Sequence, residues 1–279
     1  MLKKTSCKVA VYAFLAGVSL APLGNAASEE KAPFDRAKAG DGGLGMPTPY
    51  DKFLALDQAL TKTKVDWSKL SRAMGKPLDT DAFKDAEVSI PLALGVRIAD
   101  GVMTVKAKDA ELLNKCASDI EKLAKKLGVT DGEMSRGRAV RAAANKGDWL
   151  KVFMELGFFQ QDIMKKLTEE KNASKGTLVV IGGWIQGARY TAAVVEENYS
   201  ADVSNILREP LLVKSLVEKS ASLPASVKSS AQMVKVTESL SKLSKLVDVP
   251  TDGSISKEDV QKISAITTEV VSAASRAAN

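Results

Sequence analysis

The chain has 279 residues, 40 of them Lys or Arg and 34 Asp or Glu, for a net charge of +6, and it contains no histidine. Without imidazole there is no Ser-His-Asp or Cys-His catalysis and no His-ligated zinc or haem, and the commonest general base is missing. Two cysteines are too few for a thiolate-rich metal site, and no Walker loop, strand-borne GxGxxG or GxSxG motif occurs.

The N-terminus reads as a secretory signal peptide over residues 1–26. Lys3, Lys4 and Lys8 give a positive start free of acids, and Val9 to Leu20 (VAVYAFLAGVSL) is an apolar run too short to span a bilayer comfortably. Pro22 and Gly24 break the run, and Gly24-Asn25-Ala26 sets small residues where a signal peptidase accepts them. The expected location is therefore outside the cytoplasm, periplasmic or secreted. Cys7 precedes the apolar run, which argues against a lipid anchor. Three of the 40 basic side chains leave with the leader, so 37 remain against 34 acids, with the signs interspersed. That balance gives no reason to expect a nucleic-acid partner. Cys116 stays as a single thiol, so no internal disulfide is expected.

Residues 27–47 are charged and then glycine-rich, and read as a flexible linker. From residue 48 to 279 apolar residues recur at intervals of three and four, with helix caps between the runs. The expected fold is all-α, a bundle of roughly eight to ten helices. It forms one domain or two abutting layers: an aromatic-rich layer over 48–199 and an aromatic-free helical hairpin layer over 200–279.

In chain order, a first helix is expected from Thr48, burying Tyr50, Phe53, Leu54 and Leu60, and a shorter one around Trp67, Leu70 and Met74. Asp79 or Thr80 should start a helix through Phe83, kinked or restarted at Pro91 with Ser89 as a cap. Its apolar stripe continues through Leu94, Ile98, Val102 and Val105. Asp109 should cap a helix ending at Gly128 whose stripe is Leu113, Cys116, Ile120, Leu123 and Leu127, which makes Cys116 an inert core residue. A helix over 131–145 carries Arg136, Arg138 and Arg141 on a solvated face. Asp148 opens an apolar helix with Trp149, Val152, Phe153, Leu156, Phe159, Ile163 and Leu167.

Thr177 to Tyr199 (TLVVIGGWIQGARYTAAVVEENY) is the most unusual stretch. Gly183 and Gly187, four apart, suit a close helix crossing covered by Trp184, with Gly95 and Gly101 on the partner helix. A phosphate cradle would need these glycines in a strand-to-helix turn. Gln186 and Arg189 interrupt the run too early for a membrane span. No span is expected once the leader is removed. Further on, Met233, Val236, Leu240, Leu243 and Val247 form one seam, and Val260, Ile263, Thr267, Val270 and Ala274 another, as in an antiparallel hairpin.

Between those seams, Asp248 to Asp259 (DVPTDGSISKED) resembles an EF-hand calcium loop of the dockerin kind that ends in Asp. Asp248, Asp252 and Asp259 would be ligands at positions 1, 5 and 12, and Gly253 the turn. Pro250 removes the ligand at position 3. The plainer reading is an Asp-Gly turn followed by a Ser256/Asp259 capping box.

Two segments, Leu94-Gly95-Val96 with Ala99-Asp100 and Gly182-Gly183-Trp184-Ile185 with Gly187, resemble those of an uncharacterised family of exported or lipid-anchored all-helical bacterial proteins. Members carry LGVxxAD and GGWIxG-like segments. The chain departs from the pattern at Arg97-Ile98, where an aromatic residue and glycine are usual, and at Gln186, where Glu is usual. The resemblance implies an exported helical protein and no activity.

These features favour a non-enzymatic protein that binds an envelope partner or a small ligand, and they single out no catalytic or cofactor-binding residue. The alternatives are a calcium-stabilised module built on the 248–259 loop and, less favoured, a carboxylate-dependent hydrolase of an envelope polymer.

Overall fold

A computed structural model of the chain describes residues 60, 65–74, 78–130, 132, 135–169, 173–250 and 252–276. The expected signal peptide (1–26) and linker (27–47) and the start of the helix expected from Thr48 lie outside the described residues. Every regular element among the described residues is helical, so the fold is all-α.

α1 (Trp67–Met74) is followed by α2 (Ser89–Ala107), α3 (Ala110–Lys126), α4 (Ser135–Asn145), α5 (Trp149–Glu169) and α6 (Ala173–Glu197). The short α7 (Ala201–Ser204) runs into a 3-10 turn, Asn205–Leu207. α8 (Pro210–Ala221), α9 (Ala225–Lys228), α10 (Ala231–Val247) and α11 (Lys257–Ala274) complete the order. The helix expected over 131–145 is described from Ser135 to Asn145.

Residues 79–88 correct the sequence expectation. They form turns, and no helix passes through Phe83. The Asp85 carboxylate accepts the backbone N–H groups of Glu87, Val88 and Ser89 at 2.8–3.3 Å. It thereby satisfies the donors that a helix start leaves open, and α2 begins there instead. Ser89 is not the cap, because its hydroxyl donates back to the Asp85 carbonyl. Pro91 is tolerated because N–H groups of the first turn have no partner within a helix. Lys126, at the end of α3, secures the turn region by donating to the Thr80 and Phe83 carbonyls at 2.7 and 2.9 Å.

The expected caps Asp109, Asp148 and Ser256 fall where the sequence puts them, and Ser230 is a further one. Asp109 accepts from Leu112 N at the start of α3, Asp148 from Lys151 N at α5, Ser230 from Met233 N at α10 and Ser256 from Asp259 N at α11.

α2 and α6 form the centre of the fold. Every residue of α2 from Ser89 to Val105 is buried. By length and composition α6 could cross a membrane, yet 78% of its most apolar window is buried inside the protein. At their crossing, a Cβ on Gly95 would lie within 3.0 Å of the Val179 carbonyl and Gly183 N, and one on Gly182 would meet the Leu92 carbonyl. The partners of the α2 glycine are therefore Gly182 and Gly183. Gly101 instead faces Ile120 and Leu156 side chains at 3.7–3.8 Å. Contacts advance together along both helices, from Leu92–Gly182 to Asp100–Tyr190, so the two run in the same sense. A parallel pair needs a long return path, and α3, α4 and α5 supply it.

One apolar cluster, with Ile90, Leu94, Ile120, Leu123, Phe159 and Ile163, joins α2, α3 and α5. A larger one runs from Leu92 and Ile181 to Leu240 and Ile263 and so continues across residue 199. Both hairpin seams expected from the sequence are buried, and α11 packs mainly on α6. The described residues belong to one compact unit.

Candidate functional site

The apolar interior around α2 holds one polar cluster. Arg97 and Asp100 lie one turn apart on α2, so both project to the same side. They face Cys116 and Asp119 on α3 and Gln186 and Tyr190 on α6. Arg97 is only 2% exposed. It donates from Nη1 to Asp100 Oδ2 at 2.8 Å, and from Nε and Nη2 to Asp119 Oδ2 at 2.9 and 2.5 Å. Asp100 Oδ1 accepts from Tyr190 OH at 2.8 Å and from Gln186 Nε2. Three donors thus occupy most of the roughly four acceptor positions of the Asp100 carboxylate. That is the arrangement of a satisfied structural charge rather than of a general base.

Burial alone would lower the Arg97 pKa. The Asp100 charge and the hydrogen bonds to Asp100 and Asp119 more than reverse it, so the guanidinium is held charged. Burial pushes the Cys116 thiol up to about 12, against the pull of Arg97, which fits an inert core thiol. Burial also raises Tyr190, and the neighbouring Asp100 charge and hydrogen bond add to it, so the phenol stays a donor.

The cluster forms the floor of a cleft of about 260 Å³ where α2, α6 and α11 meet. Val96, Arg97 and Asp100 line it from α2, Gln186 and Arg189 from α6, and Val271, Ser272, Ser275 and Arg276 from the end of α11. The last of these are held in place from α10: Gln232 Nε2 donates to the Ala273 and Arg276 carbonyls at 3.0 and 3.1 Å. Leu78 closes one side.

Two features of the lining are unspent. Arg189 is half-buried and donates to Thr268 Oγ1 at 3.3 Å, and among the described residues it has no carboxylate within ion-pair distance. Burial lowers its pKa, and the nearby Asp100 charge offsets that only in part. The Gln186 side chain is buried, and its Oε1 has no hydrogen-bond partner in the protein.

The residues singled out by sequence lie elsewhere. Asp248 and Asp252 are exposed around the turn after α10. Asp259, in the first turn of α11, accepts from Lys262 Nζ at 2.6 Å, and that bond holds its carboxyl below the usual range. The turn is closed by Gly253 N donating to the Pro250 carbonyl, and it is tied to the body by Arg208 Nη1 donating to the same carbonyl and by Tyr199 OH donating to the Ile255 carbonyl. Among the described residues no three His, Cys, Asp or Glu side chains gather in a way that could hold a metal. Arg136 pairs with Glu155 and Asp162, and Arg141 with Glu121, while Arg138 is exposed.

Sequence reasoning missed Arg97, Asp100, Gln186, Arg189, Tyr190 and Arg276 as a group. The available signal was a charged pair three apart inside an otherwise apolar helix, facing a second apolar helix with Gln and Tyr four apart. The two segments that carry the family resemblance meet at this site. Gly95 and Asp100 belong to one, and Gly182, Gly183 and the Gln186 position to the other. No family model, curated protein or solved structure matches the chain.

Proposed function

We propose that the chain is an exported, non-catalytic helical protein of the cell envelope that takes up a small ligand in the cleft among α2, α6 and α11. The observation carrying this reading is Arg189: a half-buried guanidinium without a carboxylate, set in the wall of a 260 Å³ cleft. A cation desolvated at a cost and left unpaired is poorly explained by folding alone. The cleft is smaller than the roughly 300–1,000 Å³ of drug-sized sites, which favours a ligand of few atoms. The absence of histidine and the occupied Asp100 carboxylate support binding over catalysis. The leader-like N-terminus and the resemblance to exported helical proteins support an envelope location.

The test combines two measurements. Thermal melts against small polar compounds, charged and neutral, compare the natural chain with Ser272→Trp, which fills the cleft. At least one compound is expected to raise Tm with concentration in the former and not in the latter. A library giving no cleft-dependent shift would overturn the binding reading. For export, residues 1–40 fused to a reporter that folds only in an oxidising compartment should give activity, and an inactive fusion would remove it.

A further inference from the structure

Resting on that cleft, the chemistry of its lining says what kind of molecule fits. Arg97 is neutralised twice over, by Asp100 and by Asp119, so these three groups together carry one negative charge. Arg189 and Arg276 bring two positive charges, neither of them paired with a carboxylate among the described residues. The lining and its immediate support therefore carry a net charge of one positive unit, placed at the α6–α11 side. A monoanion matches it. A dianion would bring surplus negative charge toward Asp100, and a cation would meet both free guanidinium groups.

A second requirement comes from the floor. The Gln186 amide spends its N–H on Asp100, which orients it and leaves Oε1 as an acceptor without a donor. An amide oxygen accepts only from N–H or O–H groups. Val96, Val271 and Leu78 leave an apolar wall between these polar ends, enough for a short hydrocarbon portion.

We infer that the cleft binds a small monocarboxylate bearing a hydroxyl donor near the carboxylate, an α-hydroxy acid. The carboxylate pairs with Arg189 and Arg276, and the donor reaches Gln186. Arg189 presents a planar fork of donors, suited to two-point contact with a carboxylate.

Calorimetric titration with lactate, alanine, propionate, inorganic phosphate and glycerol tests this. Lactate should bind, and alanine, a zwitterion with no net charge, should bind more weakly. Propionate, which keeps the carboxylate and lacks the donor, should bind about tenfold more weakly, as expected when a buried acceptor is left unpaired. Phosphate and glycerol should bind weakest. Arg189→Gln and the exposed Arg276→Gln should each weaken lactate at least about tenfold, and circular dichroism confirms that each variant is folded. Propionate or alanine binding as well as lactate, or neither arginine variant mattering, overturns the inference. Binding of glycerol that Ser272→Trp abolishes, with no acid bound, leaves the cleft reading standing and sinks this one. No binding by any compound sinks this one too, and the library of melts then decides the cleft reading separately.

Discussion

Asp100 is the residue on which the buried cluster turns. Three helices deliver a donor or a charge to it: Arg97 from α2 itself, Gln186 and Tyr190 from α6, and Asp119 of α3 through the shared guanidinium. Pairing a buried charge rarely stabilises a fold beyond what apolar side chains would, but removing one partner leaves the other uncompensated. Asp100→Ala strands Arg97 and two further donors at once, so it should cost about 3–5 kcal/mol of unfolding free energy. Tyr190→Phe removes one hydrogen bond to a charged acceptor and should cost about 1.5–3 kcal/mol. Urea denaturation of the two variants measures both. If Asp100→Ala costs no more than Tyr190→Phe, the carboxylate is not the hub described. The spread over three helices also explains why the cluster was hidden in sequence. Arg97 and Asp119 are 22 positions apart, and Asp100 and Tyr190 are 90 apart. No local pattern pairs them.

At the scale of elements, the α2–α6 crossing depends on glycine, because two helix backbones touch where side chains would normally stand. The neighbours of a Cβ at Gly95 are backbone atoms of α6, which cannot rotate away as a side chain would. Gly95→Ala should therefore cost about 3 kcal/mol or more, at or beyond the upper end for overpacking. Gly157, on α5, has open space where its Cβ would go. There the same change should stabilise by up to about 1 kcal/mol through helix propensity. Denaturation midpoints moving in opposite directions would bear this out, and equal shifts would refute it. Much at this scale was legible in the sequence, since caps and three-four spacing are local: the capping residues Asp109, Asp148 and Ser256 and the stripes of α3, α5, α10 and α11 all read correctly. The start of α2 did not. Asp85 serves three backbone N–H groups from within a turn, and its effect depends on the turn closing back over α3, which Lys126 accomplishes from 40 and more residues away. Small residues at 183 and 187 signalled a tight crossing, which Gly183 makes against Gly95, but the register of two parallel helices is fixed only by their mutual fit, which brings Gly182 onto Leu92 as well.

For the molecule as a whole, the change in composition at residue 199 suggests two layers, and the packing argues for a shared core. α11 lies on α6, and one apolar cluster contains Leu92 and Ile181 together with Leu240, Leu243 and Ile263. Removing the C-terminal helices would expose α6 along the face that bears Arg189 and the cleft. Folding of the two regions should accordingly be a single event. The chain offers a natural way to check this. All three tryptophans, Trp67, Trp149 and Trp184, precede residue 199, and no aromatic residue follows it. Tryptophan fluorescence therefore reports the first region alone, whereas far-ultraviolet circular dichroism reports helices in both. Thermal or urea transitions followed by the two signals should coincide. A helical loss that precedes the fluorescence change would mean that α8 to α11 open on their own. In that event the cleft, whose outer wall is the end of α11, would exist only while that second region stays docked.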